Sequence, residues 1–313
     1  MKAAVIYQMG ELPQYIDFPE PVITNEDEVL VTVKAVAIKH LDKSRAAGKH
    51  YSTDHGKVIG GDGVCLLADG TRVYGMGVSG MLAEKATIHK QRIVKIPEAL
   101  NDAAAAALPN AVIGAAMALR FKADIKPGDV VLINGATGFT GRVAVQIAKH
   151  YGAGKVIATG RNLQSLQDLL SLGADEIIPI NDAFEAQLRL QPRIDIIIDY
   201  VWGPSAEIIL NHIKGDGSFT NKVRYVSVGS MGGDLIQLSA AILRSVDLQL
   251  TGSGLGSWQK PEVAELFSSI LPEMFDLAAK GKLQVNTTIV KIENIAELWQ
   301  LDVSNGERLV IEI

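Results

Sequence analysis

The segment GATGFTG, residues 135–141, constrains the fold of this chain more than any other stretch. A continuous apolar run, DVVLIN (129–134), precedes it, and a run with helical spacing of apolar residues, FTGRVAVQIAKHYG (139–152), follows it. Glycines between a strand and a helix let the backbone turn tightly and approach a pyrophosphate, which the amides at the start of the helix bind. The usual pattern is G-x-G-x-x-G, and Ala136 stands at its first glycine position, so this loop is a variant. We predict that a dinucleotide binds at Gly135, Ala136, Thr137, Gly138, Phe139, Thr140 and Gly141.

From about residue 124 the sequence alternates between apolar strand-like runs and helical patterns. Near-continuous apolar strands between helices indicate a parallel sheet that is covered on both faces. Six strands are expected, which is the number in a full dinucleotide-binding fold. With DVVLIN, they are KVIATG (155–160), EIIPI (176–180), IDIIID (194–199), RYVSVG (224–229) and LQLTG (248–252). We therefore predict an α/β, doubly wound parallel sheet domain over residues 113–252.

The segments on either side of this domain have a different character. Residues 1–112 contain short apolar or alternating runs that Gly, Pro and Asp clusters interrupt, a pattern that suits a small β-barrel or sandwich. Residues 253–313 contain one long helical pattern (261–281) and two β-like runs (287–293 and 308–313), too little for a separate domain. We expect residues 253–313 to pack onto residues 1–112, with the cofactor domain inserted between them.

The second predicted strand ends in Gly160, Arg161 and Asn162. Folds specific for NAD usually carry Asp or Glu near this point, roughly 20 residues past the first glycine, to bind the ribose 2′-hydroxyl. This strand end has no acidic residue. Gly160 leaves room, and the planar guanidinium of Arg161 can pair with a 2′-phosphate. We predict that these three residues bind the cofactor and that it is NADPH rather than NADH; a solvated surface arginine is the alternative.

Tyr151 and Lys155 have the Tyr-x-x-x-Lys spacing of the acid/base pair of short-chain dehydrogenases. In those enzymes the pair lies on a much later helix, across from the nicotinamide. Here Tyr151 ends the first helix after the glycine loop and Lys155 starts the next strand. We therefore interpret both as structural residues.

Composition narrows the class of protein. The net charge of −5 and the isoelectric point near 5.7 argue against a nucleic-acid partner. A single cysteine, Cys65, excludes an internal disulfide and cysteine-rich zinc sites. The apolar stretch 103–119 is interpreted as buried helices that meet near Pro109 rather than as a membrane span. With no signal-peptide pattern at the N-terminus, we expect a cytoplasmic protein without a membrane partner.

Seven motifs carry a resemblance to a known family over nearly the whole chain. They are AVAIKHLD (35–42), VIGGDGV (58–64), ADGTRVYG (68–75), MLAEKATI (81–88), AAAALPNAVIGAAMAL (104–119), KPGDVVLINGATGFTG (126–141) and IDYVWGPSAE (198–207). With these motifs the chain resembles the medium-chain dehydrogenase/reductase superfamily, and within it the zinc-free quinone-oxidoreductase-like group. The resemblance implies a GroES-like β-rich catalytic domain and a Rossmann domain, with the catalytic site in the cleft between them.

The resemblance also implies that no zinc is bound. Zinc-dependent members place a cysteine ligand where this chain has Lys39 and a histidine where it has Gly61, followed here by Asp62. Without zinc, a quinone or an α,β-unsaturated carbonyl is the favoured small-molecule substrate, because its conjugated system is already polarised toward hydride. A zinc-free carbonyl or alcohol dehydrogenase and a non-catalytic NADPH-binding redox sensor are the alternatives.

The resemblance suggests catalytic residues in the β-rich domain. Tyr51 is similar to an active-site tyrosine whose hydroxyl could donate to the substrate oxygen or relay a proton; an exposed loop aromatic is the alternative. His50 can occupy that position if the alignment slips by one residue. Lys39 stands where most zinc-free relatives have Asn, and its ammonium could stabilise an enolate or be structural. Asp42 matches a family aspartate that orients the loop. His40 is the remaining candidate, as a base or, more often, a residue of the cleft wall.

Further cofactor contacts are expected where later strands end, since ligands bind at that edge of a doubly wound sheet. We assign Tyr200, Gly229, Ser230 and Gly252 to this group. Gly114 stands where relatives commonly have a threonine beside the cofactor, so its hydroxyl contact must come from elsewhere. The sequence leaves the oligomeric state open between a monomer and a homodimer, for which the strands RYVSVG and LQLTG are a common contact surface in similar proteins.

Overall fold

The computed structural model describes residues 1–49, 57–191, 193–218, 220–301 and 306–313. The chain divides into two compact units: unit 1 comprises Met1–Asn110 and Phe267–Ile313, and unit 2 comprises Ala111–Leu266. The first division falls two residues before the expected one, whereas the second falls after residue 266 rather than after residue 252. Residues 253–266 contact a helix of unit 2, since Lys122 Nζ donates to Ser257 O (2.6 Å) and Arg120 pairs with Glu265 (2.5 Å).

Unit 2 contains a six-stranded parallel sheet in which the strands lie in the order β12-β11-β10-β7-β8-β9. Its strands are β7 (Val130–Asn134), β8 (Lys155–Gly160), β9 (Glu176–Pro179), β10 (Ile196–Asp199), β11 (Val223–Ser227) and β12 (Leu248–Gly252). This order, with β7 and β8 beside each other, confirms the predicted doubly wound fold. All six predicted strands are present, each within two residues of its expected bounds.

Unit 2 also contains helices. They are α3 (Phe139–His150), α4 (Leu163–Ser171), α5 (Phe184–Leu188), α6 (Gly203–His212), α7 (Ala240–Ser245) and α8 (Lys260–Glu265), with a 3₁₀ turn at Leu255–Ser257. The predicted apolar face of α3 is confirmed, because Val143, Ala144, Ile147 and Ala148 are fully buried. Tyr151 caps the end of α3 and Lys155 begins β8, which confirms their predicted positions.

Within the residues that the structure describes, one apolar helical stretch, Asp102–Lys122, is long enough by length and composition to cross a membrane. It consists of α2 (Asp102–Val112) and a π-helix (Ile113–Lys122), and 72% of its most apolar window is buried inside the protein, as in a core helix. Pro109 lies inside α2, and the two helical segments meet three residues farther along, between Val112 and Ile113. The hydrogen-bond pattern changes only after Val112, where the helix widens and, at its end, Ala123 N donates to Ala118 O.

Unit 1 is built around a β-barrel. In it, β3 pairs with both β4 and β6, and β5 joins β4 to β6, so the four strands close on one another. The C-terminal segment pairs with it, since β14 lies antiparallel to β3, with Val310 opposite Ala37. The strands are β1 (Lys2–Val5), β2 (Gln14–Asp17), β3 (Glu28–Ala37), β4 (Asp62–Leu66), β5 (Arg72–Gly77), β6 (Lys85–Lys95), β13 (Asn286–Lys291) and β14 (Glu307–Glu312).

Short helices complete unit 1. They are α1 (His40–Ala46), α9 (Leu271–Ala279) and α10 (Ile295–Gln300), with a π-helical segment at Leu266–Ile270 and a 3₁₀ turn at Ile292–Asn294. Side chains from both ends of the chain form one core, in which Val33, Val36 and Ile88 lie with Trp299 and Ile311. Burial of this shared apolar surface stabilises the pairing of the C-terminal segment with the N-terminal barrel.

Candidate functional site

The glycine loop connects the end of β7 to the start of α3. Gly135 has φ +82°, a left-handed conformation that glycine adopts without strain. The amides of Gly135 and Ala136 both donate to Thr159 O, at 3.1 and 2.8 Å. These bonds tie the start of the loop to the end of β8, so the loop has a fixed position at the carboxyl edge of the sheet.

Gly138 and Gly141 shape the start of α3. Gly138 is the N-cap residue and supplies no side chain to cap the helix amides. A Cβ on Gly138 would meet only Gly135 O, at 3.6 Å, so this end of the helix is open. A Cβ on Gly141 would collide with Gly135 O and lie 2.6 Å from Ala136 Cα, so the helix can pack against the loop only with glycine there. An uncapped helix start beside a close-packed loop fits the phosphates of a dinucleotide.

The end of β8 consists of Gly160, which Arg161 and Asn162 follow. Asn162 caps α4, because its side chain accepts a hydrogen bond from Ser165 N at 2.9 Å. Arg161 is exposed, and no hydrogen bond or ion pair joins it to another residue in the described ranges. Gly160 is buried, and the space that its side chain would occupy is taken by Thr137, whose Cγ2 lies 2.7 Å from an ideal Cβ position. The guanidinium of Arg161 is therefore the charged group at this strand end.

A buried polar network lies beneath the loop, and sequence reasoning missed it. Asp199, at the end of β10, accepts hydrogen bonds from Asn134 Nδ2 (2.7 Å) and Tyr225 OH (2.6 Å). Asn134 Oδ1 in turn accepts from Thr159 Oγ1 (2.9 Å). The network joins four adjacent strands and holds the carboxyl edge of the sheet in one geometry. The polar residues at the ends of the apolar runs were the signal that could have revealed it.

The same carboxylate shapes the loop after β10. Asp199 Oδ1 accepts from the amides of Val201 (2.8 Å) and Trp202 (3.0 Å). Trp202 has φ +59°, which is unusual for a bulky residue. The hydrogen bonds from these two amides to Asp199 hold that conformation in place. The indole packs edge-on against Tyr225, with ring centroids 6.0 Å apart.

The remaining predicted cofactor residues lie near this loop or farther along the sheet edge. Tyr200 OH donates to Gly114 O at 2.9 Å, and burial raises the pKa of this hydroxyl. A Cβ on Gly229 would lie 2.8 Å from Tyr200 O, so Gly229 packs against the same loop. Gly252 ends β12 with no atom within 4 Å of its Cβ position, and Ser230 is exposed.

Thr140 occupies the space beside Gly114. A Cβ on Gly114 would lie 2.9 Å from Thr140 Cγ2, so a larger residue at position 114 would collide with the first turn of α3. Thr140 is therefore a nearby residue whose hydroxyl could make the cofactor contact that a threonine at position 114 makes in relatives.

The candidate catalytic residues of unit 1 lie at the start of α1. Lys39 is 3% exposed, and its ammonium donates to Ala37 O (3.1 Å) and to the Asp62 carboxylate, and lies 3.3 Å from Asp42 Oδ2. Asp62 also accepts a hydrogen bond from Tyr74 OH at 2.6 Å. Asp42 accepts from the backbone amide of Lys39 at 2.9 Å and so caps α1. These contacts favour a positioning role for Lys39 and Asp42.

Charge within this cluster is balanced. Burial alone would lower the pKa of Lys39, but the carboxylates of Asp42 and Asp62 raise it, so the ammonium stays charged. Burial raises the pKa of Asp42. Burial lowers the pKa of Arg308 to about 10, and Arg308 donates to Ile38 O at 3.3 Å beside the cluster. Two cations therefore neutralise two buried carboxylates, as buried charge requires.

The other candidates in unit 1 differ in position. His40 is exposed as the first residue of α1. Tyr51 and His50 lie outside the described residues. Asp62 and Tyr74 were missed as cluster members, although the position of Asp62 after Gly61 was noted, because their contact with Lys39 depends on how β4 and β5 pair.

The parallel sheet, the glycine loop and the uncapped helix start define a dinucleotide-binding protein with a second, β-rich unit. A family model described as zinc-binding dehydrogenase matches residues 140–271. A probable NADPH-dependent quinone reductase of Emericella nidulans is 26% identical over 96% of this chain and 96% of its own. The 2-methylene-furan-3-one reductase of Solanum lycopersicum is 31% identical over 69% of this chain and 56% of its own.

A solved structure has the same fold. The quinone oxidoreductase from Thermus thermophilus, whose complex with NADPH is also known, has a TM-score of 0.80 and 24% identity, with 100% of both chains covered. Over nearly its whole length the chain is similar to the quinone-oxidoreductase-like group of the medium-chain dehydrogenase/reductase superfamily. The segment that the family model matches excludes Lys39, Gly61 and Asp62, so its description carries no information about a metal at those positions.

Proposed function

We propose that the protein is an NADPH-dependent oxidoreductase that transfers hydride to a quinone or an α,β-unsaturated carbonyl without zinc. The observation that carries the proposal is the end of β8, which lacks the acid expected in an NAD enzyme and presents an exposed Arg161, unpaired within the described ranges. The quinone and enone reductases among its relatives support the substrate class.

Residues of unit 2 would hold the cofactor. The start of α3, which no N-cap side chain covers, and the close-packed glycine loop suit the pyrophosphate, and Arg161 suits the 2′-phosphate through two parallel hydrogen bonds. When bound, NADPH supplies the hydride. The Asp199 network fixes the loops around this edge of the sheet, so the protein can orient the cofactor without rearranging.

The contacts of Lys39 support a polarised substrate. Its ammonium is already bonded to Ala37, Asp62 and Asp42, so it is a poor electrophile for a simple ketone. Binding a metal at this place would also require the two carboxylates to leave the lysine. A conjugated carbonyl needs less electrophilic stabilisation of its oxygen, because negative charge spreads over the conjugated system as hydride adds. Tyr51 or solvent then donates the proton, which is the role we propose for Tyr51.

The first test is to titrate the protein with NADPH and NADH by nicotinamide fluorescence. A panel of a quinone, an enone and a saturated ketone is then assayed with the preferred cofactor. We expect tighter binding of NADPH and turnover of the quinone or enone. Activity confined to ketones or alcohols would favour the alcohol dehydrogenase alternative, and binding without turnover would favour the redox sensor.

Arg161 is tested by its alanine variant. Loss of a charge-assisted phosphate contact costs about 1.5–3 kcal/mol, so Arg161→Ala should weaken NADPH binding by roughly tenfold or more and leave NADH binding nearly unchanged. Arg189→Ala is the matched control, since Arg189 is an exposed arginine of unit 2 that forms an ion pair with Glu185 of the adjacent helix turn. An unchanged NADPH preference in Arg161→Ala would contradict the assignment.

We propose a cytoplasmic location, and the strands β11 and β12 as the contact surface if the protein forms a homodimer. The strand β12 is the edge strand of the sheet, and no strand among the described residues pairs with its outer side. That side could therefore pair with a strand of a second copy. Sedimentation of the purified protein would distinguish a monomer from a dimer.

A further inference from the structure

We propose that the Thr137 side chain is a determinant of cofactor selectivity, because it fills the position that an acidic residue at the end of β8 would need. The proposal rests on the proposed use of NADPH and concerns how the protein disfavours NADH. Thr137 lies in the glycine loop, and Gly160 is the last residue of β8.

The two residues are in direct steric competition. An ideal Cβ on Gly160 would lie 2.7 Å from Thr137 Cγ2, 3.0 Å from its Oγ1 and 3.4 Å from its Cβ. All three of these nearest atoms belong to Thr137. Carbon atoms in good contact are about 3.5–4.0 Å apart, so any side chain at position 160 collides with this threonine.

Backbone movement does not readily relieve the collision. The carbonyl of Gly160 accepts a hydrogen bond from Ile180 N at 2.8 Å, which holds the strand end. The preceding carbonyl, Thr159 O, accepts the amides of Gly135 and Ala136, which holds the loop against the strand. Threonine is also stiff at χ1, because its Cβ is branched.

Selectivity follows from this exclusion. An Asp at the strand end would bind the 2′-hydroxyl of NADH and repel the 2′-phosphate of NADPH. With Thr137 in the loop, position 160 is restricted to glycine, and Arg161 remains as the charged residue. Thr137 and Arg161 therefore act together, the first by excluding the acid and the second by binding the phosphate.

The test compares Gly160→Asp alone with Gly160→Asp combined with Thr137→Ala, using fluorescence titrations of both cofactors. We expect Gly160→Asp to weaken binding of both NADPH and NADH. Thr137→Ala in the same chain should restore NADH affinity by about tenfold, without restoring NADPH affinity. Thr137→Val is the matched control, because valine removes the hydroxyl and keeps the bulk, so Thr137→Val with Gly160→Asp should stay weak. Equal NADH affinity in Gly160→Asp with and without Thr137→Ala would overturn the proposal.

A second measurement covers variants that fold poorly and does not depend on the cofactor. Gly160→Ala should lower the melting temperature of the cofactor-free protein, and adding Thr137→Ala should recover most of the loss. Strictly additive melting shifts would overturn the proposed competition. If the wild-type protein shows no preference for NADPH, the proposed function fails, whereas the melting data still decide whether the two residues compete.

Discussion

At the scale of single residues, the glycines of unit 2 differ in what they allow. A Cβ on Gly141 would press on three backbone atoms of the loop, which cannot rotate away as a side chain can. Gly141→Ala should therefore lower the free energy of unfolding by about 1–3 kcal/mol, the usual cost of overpacking, and weaken NADPH binding. Chemical denaturation measures the first effect and fluorescence titration the second.

Gly252→Ala is the control for that change. Its Cβ would have no neighbour within 4 Å, and Gly252 does not have a positive φ, so the cofactor-free protein should unfold at the same denaturant concentration as the wild type. Equal destabilisation by both substitutions would mean that the close approach at Gly141 is not what requires glycine.

The sequence predicts single residues correctly where their structure depends on neighbours close in the chain. The glycine turn between strand and helix and the apolar face of α3 depend on neighbours within a few positions, and the structure confirms them. The contact of Thr137 with Gly160 and the bond of Lys39 to Asp62 each join residues that are far apart in the sequence. Such contacts depend on the relative placement of a loop and a strand, which hydrophobic periodicity does not specify.

At the scale of elements, four strands are held together by the Asp199 network. Tyr225→Phe removes the hydroxyl that donates to Asp199 Oδ2 and leaves a buried carboxylate oxygen without that donor. We expect a loss of about 1–3 kcal/mol in the free energy of unfolding. Tyr15→Phe serves for comparison, since Tyr15 is only half-buried, and it should change stability by less than about 0.5 kcal/mol.

The start of α1 depends in the same way on the charge of Lys39. Lys39→Met leaves the buried carboxylates of Asp42 and Asp62 without their shared cation, which should cost about 3–5 kcal/mol at pH 8. Arg308 then remains as the one buried cation beside two carboxylates. The uncompensated negative charge raises the carboxylate pKa in the folded variant, so the variant takes up protons as the pH falls and its deficit should shrink toward pH 5. Denaturation of Lys39→Met and of the exposed-site variant Lys95→Met at both pH values measures this; a deficit independent of pH would argue against uncompensated charge.

The sequence predicts the bounds of helices and strands well, but it predicts the division between the units only in part. The helical pattern at 261–281 corresponds to a continuous helical stretch from α8 through α9, as its periodicity indicates. The second division falls inside that stretch, because Arg120 and Lys122 hold its first part to unit 2. Ion pairs between distant segments have no counterpart in a local pattern.

At the scale of the whole molecule, ligand binding should be visible as stability. A ligand at 100 times its dissociation constant adds about 2.7 kcal/mol to a state that alone binds it. NADPH at that concentration should therefore raise the melting temperature of unit 2 by several degrees, and NADH at the same concentration should raise it less. Calorimetry with each cofactor measures the shifts, and equal shifts would contradict the proposed selectivity.

The pairing of β14 with β3 also bears on the order of events during synthesis. Unit 2 is one continuous segment, so it can fold as soon as residue 266 has left the ribosome. The barrel of unit 1 gains its last neighbour only when β14 emerges, roughly 200 residues after the N-terminal part of unit 1, or about 10–40 s later at 5–20 residues per second. The edge of β3 that pairs with β14 therefore stays unpaired while unit 2 folds. During that interval this edge is the part of unit 1 that most needs protection by a chaperone.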